Sequence, residues 1–278
     1  YTIFVIMTDL NVVKPCLRWA GGKSWLVKHL DNLLPNNGFN NYHEPFLGGA
    51  SIFLSIRPQN LSYLSDLNRE LIETYITLRD HPNEIIEILA CYVNSKDYYY
   101  KIRKLTPQTE AEKAARFIYL NQTSYNGIFR VNLKGEYNVP YGYRKKNFLD
   151  KDTLLAVSKA LDGTIIQHGD FDIVRNNLRP GDLVFLDPPY TVSHNDNGFI
   201  KYNQKIFSLE DQIRLSQLIN HIKEIGAYYI LTNAAHSKIE EIFNNGDTPL
   251  RLRRASLIGG TNAKRGHTTE LIFTNIVR

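Results

Sequence analysis

The sequence predicts an α/β fold, because short strand-like segments alternate with helix-like segments at both ends of the 278-residue chain. The middle of the chain differs: it has the apolar spacing of several helices, and nine of the 17 tyrosines lie between Tyr92 and Tyr143. A turn at Lys134-Gly135 separates two strand-like segments there, as in a β-hairpin. We therefore predict a helix-covered sheet, formed by residues 1–69 and 159–278, and an inserted, mostly helical domain at 70–158 that carries a β-hairpin.

The individual elements are predicted from apolar periodicity and from cap residues. Before the insert we expect helices at 23–34 and 50–56, and strands at 42–46 and 61–65. Inside it we expect helices at 83–91 and 110–121. After it we expect strands at 164–168, 183–186, 228–232 and 268–277. Ser208 is the predicted cap of a helix that extends to Lys223.

The most informative segment is residues 187–190, of sequence Asp-Pro-Pro-Tyr, which follow the apolar strand at 183–186. Ligands of a parallel α/β sheet bind beyond the carboxyl ends of its strands, so we expect Asp187 to border the ligand crevice. The two prolines end the strand and remove two backbone N–H donors, which leaves acceptors and one aromatic ring. Such a turn suits an amine on a flat ring, such as adenine, although many Asp-Pro turns only end strands.

A second candidate ligand site is the glycine turn Phe46-Leu47-Gly48-Gly49-Ala50, which lies between a predicted strand and a predicted helix. Glycines there let a ligand approach the backbone closely. Asp66 ends the next strand about 20 residues later, the spacing at which dinucleotide-binding folds have a ribose-binding carboxylate. The glycines do not satisfy G-x-G-x-x-G, so NAD is disfavoured. Likewise Gly21-Gly22-Lys23-Ser24 is not a phosphate loop, because Leu17 occupies the position of its first glycine.

The composition excludes several classes of protein. Two distant cysteines, Cys16 and Cys91, and scattered histidines predict neither a disulfide framework nor a metal site. No apolar stretch is long enough to cross a bilayer, and residues 1–6 lack the basic flank and cleavage site of a signal peptide. We therefore expect a soluble, cytoplasmic protein. Met7, the only methionine, is a candidate native start.

The formal net charge of +5 is modest, but the basic residues are clustered. One cluster consists of Arg251, Arg253, Arg254, Lys264 and Arg265, and another of Lys134, Arg144, Lys145 and Lys146. The second cluster interleaves with Tyr137, Tyr141 and Tyr143. A charge run is usually a solvated surface, but basic groups mixed with aromatic rings suit phosphates and bases. We therefore expect a nucleic-acid partner.

These segments belong to a longer series of motifs. The series is Arg18-Trp19-Ala20-Gly21-Gly22-Lys23, Glu44-Pro45-Phe46-Leu47-Gly48-Gly49, Ser65-Asp66-Leu67-Asn68, Tyr125-Asn126-Gly127-Ile128-Phe129-Arg130-Val131-Asn132, Tyr137-Asn138-Val139-Pro140-Tyr141-Gly142, Gly169-Asp170-Phe171 and Asp187-Pro188-Pro189-Tyr190. In these motifs and their order, the chain from about Arg18 to its C-terminus resembles the Dam-type DNA adenine methyltransferases of the D12 class. The resemblance implies a Rossmann-like, S-adenosylmethionine-dependent methyltransferase sheet, with the insert as a DNA target-recognition domain.

The resemblance also implies roles for single residues. Asp187 and the Pro188 carbonyl would accept the amino hydrogens of a flipped adenine while Tyr190 stacks on the base, without a metal. The residues implied to bind S-adenosylmethionine are Trp19, Lys23, Phe46, Gly48, Asp66, Asp170, Phe171 and Asp187. Apart from the resemblance, Trp19 could equally be a core ring, Asp66 a helix cap, and Asp170 with Phe171 an N-cap followed by a core ring.

The residues implied to contact DNA are Arg18, Tyr125, Asn126, Ile128, Arg130 and Pro140. Tyr125 would enter the base stack, Asn126 would meet the orphaned base, and Arg130 would make a bidentate contact to guanine. Ile128 and Pro140 would give apolar contacts to thymine methyl groups or neighbouring bases. Arg18 and Ile128 occupy positions where lysine and leucine are common in the family, so the geometry of the Arg18 contact stays open. Without the resemblance, the aromatic and apolar residues among these are more often core.

The predicted activity is N6 methylation of adenine in a short duplex site resembling GATC, by a monomer. One alternative is transfer to the exocyclic amine of cytosine or to RNA, because an Asp-Pro-Pro-Tyr turn accommodates an amine on more than one ring. Another is an inactive, DNA-binding homologue that retains only the recognition region. The intact Asp187 and Tyr190 favour the enzyme.

Overall fold

The computed structural model of the protein describes residues 13–132, 134–190, 207–244, 246–255 and 267–277. Met7, and Lys264 and Arg265 of the C-terminal basic cluster, lie outside the described residues. In the part that is described, no helix is both long and apolar enough to span a membrane.

The chain divides into two compact units. One, which we call the helical unit, comprises Tyr1–Val27, Gly48–Arg57 and Asn68–Ile166. The other, which we call the sheet unit, comprises Lys28–Leu47, Pro58–Leu67 and Gln167–Arg278. The helical unit contains the predicted insert together with two earlier segments that the predicted boundaries assign to the other domain. The units therefore do not coincide with the predicted domains, and the division into catalytic and recognition domains stays a prediction.

The described residues form a mixed sheet of seven strands in the order β3-β2-β1-β4-β5-β7-β6. The strands are β1 (Tyr42–Glu44), β2 (Ser62–Asp66), β3 (Ile165–His168), β4 (Leu183–Leu186), β5 (Tyr228–Ala234), β6 (Leu250–Ala255) and β7 (His267–Thr274). Strand β1 is parallel to β2 and β4, β4 is parallel to β5, and β7 is antiparallel to β5 and β6. The carboxyl ends of β1, β2, β4 and β5 therefore lie at one edge of the sheet, the edge at which such folds bind ligands.

The α/β class is confirmed, and most of the expected strands are present within two residues of their predicted bounds. The central strand β4 has all four residues buried, as its uninterrupted apolar sequence requires for a strand covered on both faces. Strand β6 was not predicted. Its alternation of leucine and arginine, together with its position at the edge of the sheet, explains why the apolar signal of this segment is weak.

The described residues of the sheet unit include two helices and, after β3, a 3₁₀ segment. The helices are α7 (Leu209–Ile225) and α8 (Ser237–Ile242), which follow the six helices of the helical unit in the sequence. The 3₁₀ segment is Phe171–Asn176. Ser208 caps α7, as predicted, through a reciprocal capping box with Asp211. Apolar residues of α7 and of the 3₁₀ segment join Val184, Leu231 and Phe273 of the strands in one buried core.

The helical unit contains six helices among its described residues: α1 (Ser51–Ile56), α2 (Arg69–Asp80), α3 (Pro82–Ala90), α4 (Lys96–Lys104), α5 (Glu110–Thr123) and α6 (Lys151–Leu161). The N-terminal caps of α2, α4, α5 and α6 are short polar side chains, Asn68, Ser95, Thr109 and Asp150. The predicted hairpin is present as two isolated antiparallel bridges, Val131 with Tyr137 and Ser124 with Tyr141, rather than as two regular strands.

One expectation about a helix and one about exposed tyrosine rings are wrong. The helix predicted at 23–34 is a 3₁₀ segment, Val27–Asn32, and tight turns flank it, with Leu26 N–H donating to the Lys23 carbonyl at 2.8 Å and Leu33 N–H to the Leu30 carbonyl at 2.7 Å. Such three-residue turns rarely extend far, because their hydrogen bonds are poorly aligned. In addition, Tyr137 and Tyr141 are buried, so only Tyr143 of the three expected stacking rings is exposed, at 67%.

Candidate functional site

The Asp-Pro-Pro-Tyr turn (residues 187–190) begins where β4 ends, as predicted. Leu186 pairs with Leu231 of β5, so the residues that follow them, Asp187 and Thr232, are neighbours across the two strands. The Thr232 hydroxyl donates a hydrogen bond to Oδ1 of Asp187 at 2.7 Å. Hydrogen bonds to a carboxylate are stronger than those between neutral groups, so Thr232 restrains the rotation of the Asp187 side chain.

Tyr190, at the other end of this turn, is hydrogen-bonded to a residue of the last strand. Its hydroxyl donates to Oε2 of Glu270 on β7. Glu270 is fully buried, whereas Tyr190 is only partly buried. Hence β5 and β7, which pair with each other, each provide a side chain that holds one end of the turn.

Asp66 lies at the carboxyl end of β2, on the same edge of the sheet. Its backbone carbonyl accepts a hydrogen bond from Gly169 N–H at 3.2 Å, so the segment after β3 reaches this end of β2. The alternative role of Asp66 as a helix cap is not seen, because α2 begins at Arg69 and its cap is Asn68, whose Oδ1 accepts from Leu71 N–H at 3.1 Å. Asn68, rather than Asp66, is therefore the N-cap of α2.

Asp170 is an N-cap and Phe171 is a core ring, the two alternative roles that the sequence allowed. Asp170 caps the 3₁₀ segment by accepting from Asp172 N–H at 3.1 Å, and Phe171 is a core ring with 4% exposure. The guanidinium of Arg214 donates to Oδ1 of Asp170 at 2.7 Å and lies over the Phe171 ring, 4.7 Å from its centroid. The hydrogen bond to Asp170 raises the pKa of Arg214, so this cation stays charged.

Phe46, the first residue of the glycine turn, packs against the ring of Phe171. Its ring stacks on Phe171 with centroids 5.6 Å apart, and it meets the edge of Phe207 at 5.7 Å. Since Phe46 is only partly buried, the aromatic cluster is accessible at Phe46. The sheet unit thus has a carboxylate, an aromatic surface and the Asp-Pro-Pro-Tyr turn at the carboxyl ends of neighbouring strands.

In the helical unit, Trp19, Lys23 and Gly48 lie close to the start of α1. Gly48 has a left-handed φ of 47°, and a Cβ there would be 2.8 Å from Cδ1 of Trp19, so only glycine fits against this ring. Trp19 also stacks on Phe129 at 6.1 Å. Lys23 is buried, with 4% of its surface exposed, and its Nζ donates to the Gly21 carbonyl at 2.9 Å. Both interpretations of Trp19 are compatible with this position, since one part of its ring is covered and the residue is only half-buried.

Four of the six candidate DNA-contacting residues are exposed on the helical unit: Tyr125, Asn126, Arg130 and Pro140. The Tyr125 N–H donates to the Pro140 carbonyl at 2.9 Å, which joins the two segments that carry them. Asn126 has a left-handed φ of 54°, a conformation that asparagine tolerates better than most residues. Ile128 is half-buried, and its carbonyl accepts from the Tyr137 hydroxyl at 2.8 Å.

Arg130 and Arg18 differ in how their guanidinium groups are held. Arg130 is exposed, and its Nε donates to Oδ1 of Asn138 at 2.7 Å across the hairpin. Arg18 is half-buried, and its Nη1 donates to the Ser124 carbonyl at 3.2 Å and to the Gln122 carbonyl at 3.4 Å. Burial lowers the pKa of Arg18 from its usual value. Arg18 thus supports the backbone that leads to Tyr125, a role that the sequence did not suggest.

Four residues that contact candidate site residues were missed from the sequence: Thr232, Glu270 and Arg214 in the sheet unit, and Asn138 in the helical unit. Glu270 is the one that a pattern could have identified, because it is an acid within the apolar end of β7 and strands with buried acids are uncommon. Thr232 lies near the carboxyl end of a parallel strand, which is the general location of ligand sites. Among the residues that the structure describes, no three His, Cys, Asp or Glu side chains are grouped as metal ligands would be.

Comparison with known proteins adds an independent finding. Residues 19–255 match the family model described as D12 class N6 adenine-specific DNA methyltransferase. The chain is 33% identical over 95% of its length to the type II methyltransferase M1.LlaDCHI of Lactococcus lactis subsp. cremoris, of which 95% is covered. It is 29% identical to the DNA adenine methylase of Haemophilus influenzae, over 93% of this chain and 92% of that protein. The matched segment contains the glycine turn, the segment 125–130 and the Asp-Pro-Pro-Tyr turn.

Proposed function

The chain belongs to the D12 class of N6 adenine-specific DNA methyltransferases, and we propose that it uses S-adenosylmethionine to methylate a flipped adenine in a short duplex site resembling GATC. The observation that carries the proposal is the Asp-Pro-Pro-Tyr turn after the buried strand β4, with Asp187 held by Thr232 and Tyr190 held by Glu270. A turn of acceptors and one ring, fixed at both ends, suits an aromatic amine better than it suits an acid or an alcohol.

The chemistry proposed for the turn is positioning rather than strong acid–base catalysis. Asp187 and the Pro188 carbonyl accept the two amino hydrogens of adenine, which localises the nitrogen lone pair that is otherwise delocalised into the ring. Tyr190 stacks on the base and keeps its amine in line for the transfer. S-adenosylmethionine supplies an electrophilic methyl group on a sulfonium. Transfer would form the bond between the methyl carbon and the amine nitrogen and break the methyl–sulfur bond, which leaves a neutral thioether. The excess proton on the nitrogen would then leave to water.

The residues of the sheet unit fit an adenosine-containing cofactor. Asp66 has a carboxylate at the carboxyl end of β2, and its alternative use as a helix cap is taken by Asn68. We propose that Asp66 accepts from the ribose hydroxyls and that Phe46 contacts the adenine ring. Asp170 and Phe171 would act mainly through the backbone and through support of Phe46, because the Phe171 ring is buried.

We propose cofactor contacts for three residues of the helical unit as well. Trp19 is an aromatic side chain that is only half-buried, and Gly48 gives close access to the backbone beside it. The ammonium group of Lys23 is hydrogen-bonded to the Gly21 carbonyl, and this bond keeps the Gly21-Gly22 segment compact. We also propose that Asp187 contacts the cofactor, beside the amine that it orients.

For DNA, we propose that the helical unit reads the site around the target base. Extrusion of the adenine costs a few kcal/mol of stacking and pairing, which contacts to the duplex must offset. Tyr125 and Asn126 are exposed and suited to fill the vacated position, and Arg130 is exposed and suited to a guanine edge. Pro140 and Ile128 provide apolar contacts, and Arg18 contributes through its own guanidinium or through the backbone at Ser124. We propose that the protein binds duplex DNA as a monomer.

The proposal is tested by incubating the purified chain with S-adenosylmethionine carrying a labelled methyl group and with duplex DNA, then digesting the DNA to nucleosides. N6-methyl-2′-deoxyadenosine as the labelled product supports the proposal, and sequencing that maps the modified adenines determines the site. Label in a cytosine product would contradict the adenine assignment, and label in RNA but not in DNA, in a parallel incubation with RNA, would contradict the DNA assignment. DNA binding without any labelled product, at saturating cofactor, would identify an inactive homologue. Light scattering of the same sample determines whether the protein is a monomer.

A further inference from the structure

Resting on the proposed function, we propose that Glu270 is a positioning residue that sets the orientation of the Tyr190 ring for stacking on the target base. The contact is the hydrogen bond from the Tyr190 hydroxyl to Oε2 of Glu270. Glu270 itself lies in the middle of β7 and is proposed to act on the reaction through this ring.

The energetic cost of burying a carboxylate at position 270 argues against an incidental contact. It is fully buried on β7, between Ala234 of β5 and Leu252 of β6 in the sheet. Burial of a carboxylate is unfavourable unless hydrogen bonds compensate for the lost water. Ile272, the next residue on the same face of the strand, is fully buried as well, so an apolar side chain at 270 would suit the strand better than an acid. The stability of β7 therefore does not explain why residue 270 is a glutamate.

The prolines restrain the backbone of the Asp-Pro-Pro-Tyr turn, but the backbone does not by itself fix the orientation of the Tyr190 ring. Pro188 and Pro189 fix two φ angles and thereby the course of the chain to Tyr190. The side chain of Tyr190 still has two rotatable bonds, and the ring is only partly buried. A hydrogen bond at the far end of the phenol limits both rotations. A ring that is held beforehand loses less conformational freedom when a base stacks on it.

The same type of bond occurs elsewhere in the sheet unit and provides a matched control. The Tyr42 hydroxyl donates to Oε2 of Glu44 at 2.7 Å, and both residues are buried on β1. Burial, and then the neighbouring Glu44 carboxylate, raise the pKa of Tyr42 well above its usual value, so this phenol remains a donor. Tyr42 is not part of the Asp-Pro-Pro-Tyr turn. Tyr42→Phe therefore removes another hydrogen bond from a tyrosine to a buried glutamate without changing the proposed orientation of Tyr190.

The test combines Tyr190→Phe, Glu270→Ala, the double variant, Glu270→Gln and Tyr42→Phe. The measurements are the single-turnover methylation rate at saturating DNA and cofactor, and the fluorescence of 2-aminopurine in place of the target adenine. Thermal unfolding shows which variants are folded. A lost hydrogen bond to a charged group corresponds to about ten- to a hundredfold in rate, so we expect a loss of this order for Tyr190→Phe and for Glu270→Ala.

If Glu270 acts through the hydroxyl of Tyr190, the double variant is no slower than the slower single variant, because both changes remove the same interaction. Glu270→Gln retains an acceptor oxygen and is expected to recover most of the rate. The 2-aminopurine emission should rise in Tyr190→Phe and Glu270→Ala alike, since the flipped base is stacked less firmly. Tyr42→Phe should be less stable to heat but unchanged in rate and in emission.

Independent, multiplying losses in the double variant would overturn the inference, because Glu270 would then act by another route. Equal losses of rate in Tyr42→Phe, or a Glu270→Ala variant that loses stability but not rate, would show a purely structural acid. If Glu270→Ala does not fold, Tyr190→Phe and Glu270→Gln still decide: a normal rate and emission in Tyr190→Phe contradicts the inference. A wild-type protein that methylates no adenine would instead refute the proposed function, and the inference with it.

Discussion

The Thr232 hydroxyl donates a hydrogen bond to Oδ1 of Asp187, with the two oxygens 2.7 Å apart. The bond follows from the parallel pairing of β4 and β5, in which Leu186 is opposite Leu231 and the next residues are side by side. It occupies one carboxylate oxygen and holds the plane of the carboxylate. In the proposed reaction, the orientation of that plane decides whether the amine of the target base meets an acceptor.

Thr232→Val should lower the rate of methyl transfer by about ten- to a hundredfold, because the valine is similar in shape but cannot donate the bond to the carboxylate. Single-turnover kinetics at saturating DNA measure the effect. Thr232→Ser retains the hydroxyl and serves as the control, with a rate near that of the wild type. A Thr232→Val protein as fast as the Thr232→Ser protein would show that the Asp187 orientation does not depend on this bond.

Asp187→Ala should abolish methyl transfer while the protein stays folded and still binds DNA. The carboxylate is at the end of a strand and only partly buried, so its removal leaves no large cavity. Thermal unfolding and a DNA-binding titration accompany the activity measurement. Loss of activity together with loss of the folded state would identify Asp187 as a structural acid instead.

Asp66→Ala should weaken the stabilisation of the protein by S-adenosylmethionine. A ligand that binds only the native state raises the melting temperature by mass action, so a lower affinity gives a smaller shift at the same concentration. Asn68→Ala is the matched control, two residues away: loss of the α2 cap should reduce stability by about 1 kcal/mol while the response to the cofactor persists. A response to NAD equal to that for S-adenosylmethionine, or the same shift in Asp66→Ala as in the wild type, would contradict the cofactor assignment.

Arg130→Ala should relax selection at one guanine of the site by roughly ten- to a hundredfold, since a bidentate arginine–guanine contact discriminates by about 1–3 kcal/mol. The measurement is methylation of duplexes substituted at each position, at two salt concentrations. Lys145→Ala and Lys146→Ala are controls on exposed residues, which we expect to weaken binding to every sequence and to reduce the salt dependence. If Arg130→Ala behaves like these two, Arg130 contacts the phosphate backbone and the GATC-like assignment loses its main support.

Features that depend on neighbouring residues were predictable from the sequence. Ser208 and Asp211 form the capping box three residues apart, and the cap was correctly predicted. The apolar strand β4 and its two following prolines likewise define the start of the Asp-Pro-Pro-Tyr turn. The helix expected at 23–34 shows where this approach fails, because an apolar spacing does not distinguish a 3₁₀ segment from an α-helix over one or two turns.

By itself, the sequence determined the α/β class, the family resemblance and the residues that end the central strand, because each is recorded in short-range patterns or in motifs of fixed order. Only the tertiary structure decided which side chains hold that turn. Thr232 is 45 positions from Asp187, and Glu270 is 80 positions from Tyr190. These pairs exist because β5 lies beside β4 and β7 lies beside β5, and the order of strands in a sheet is set by long-range packing that no local spacing encodes.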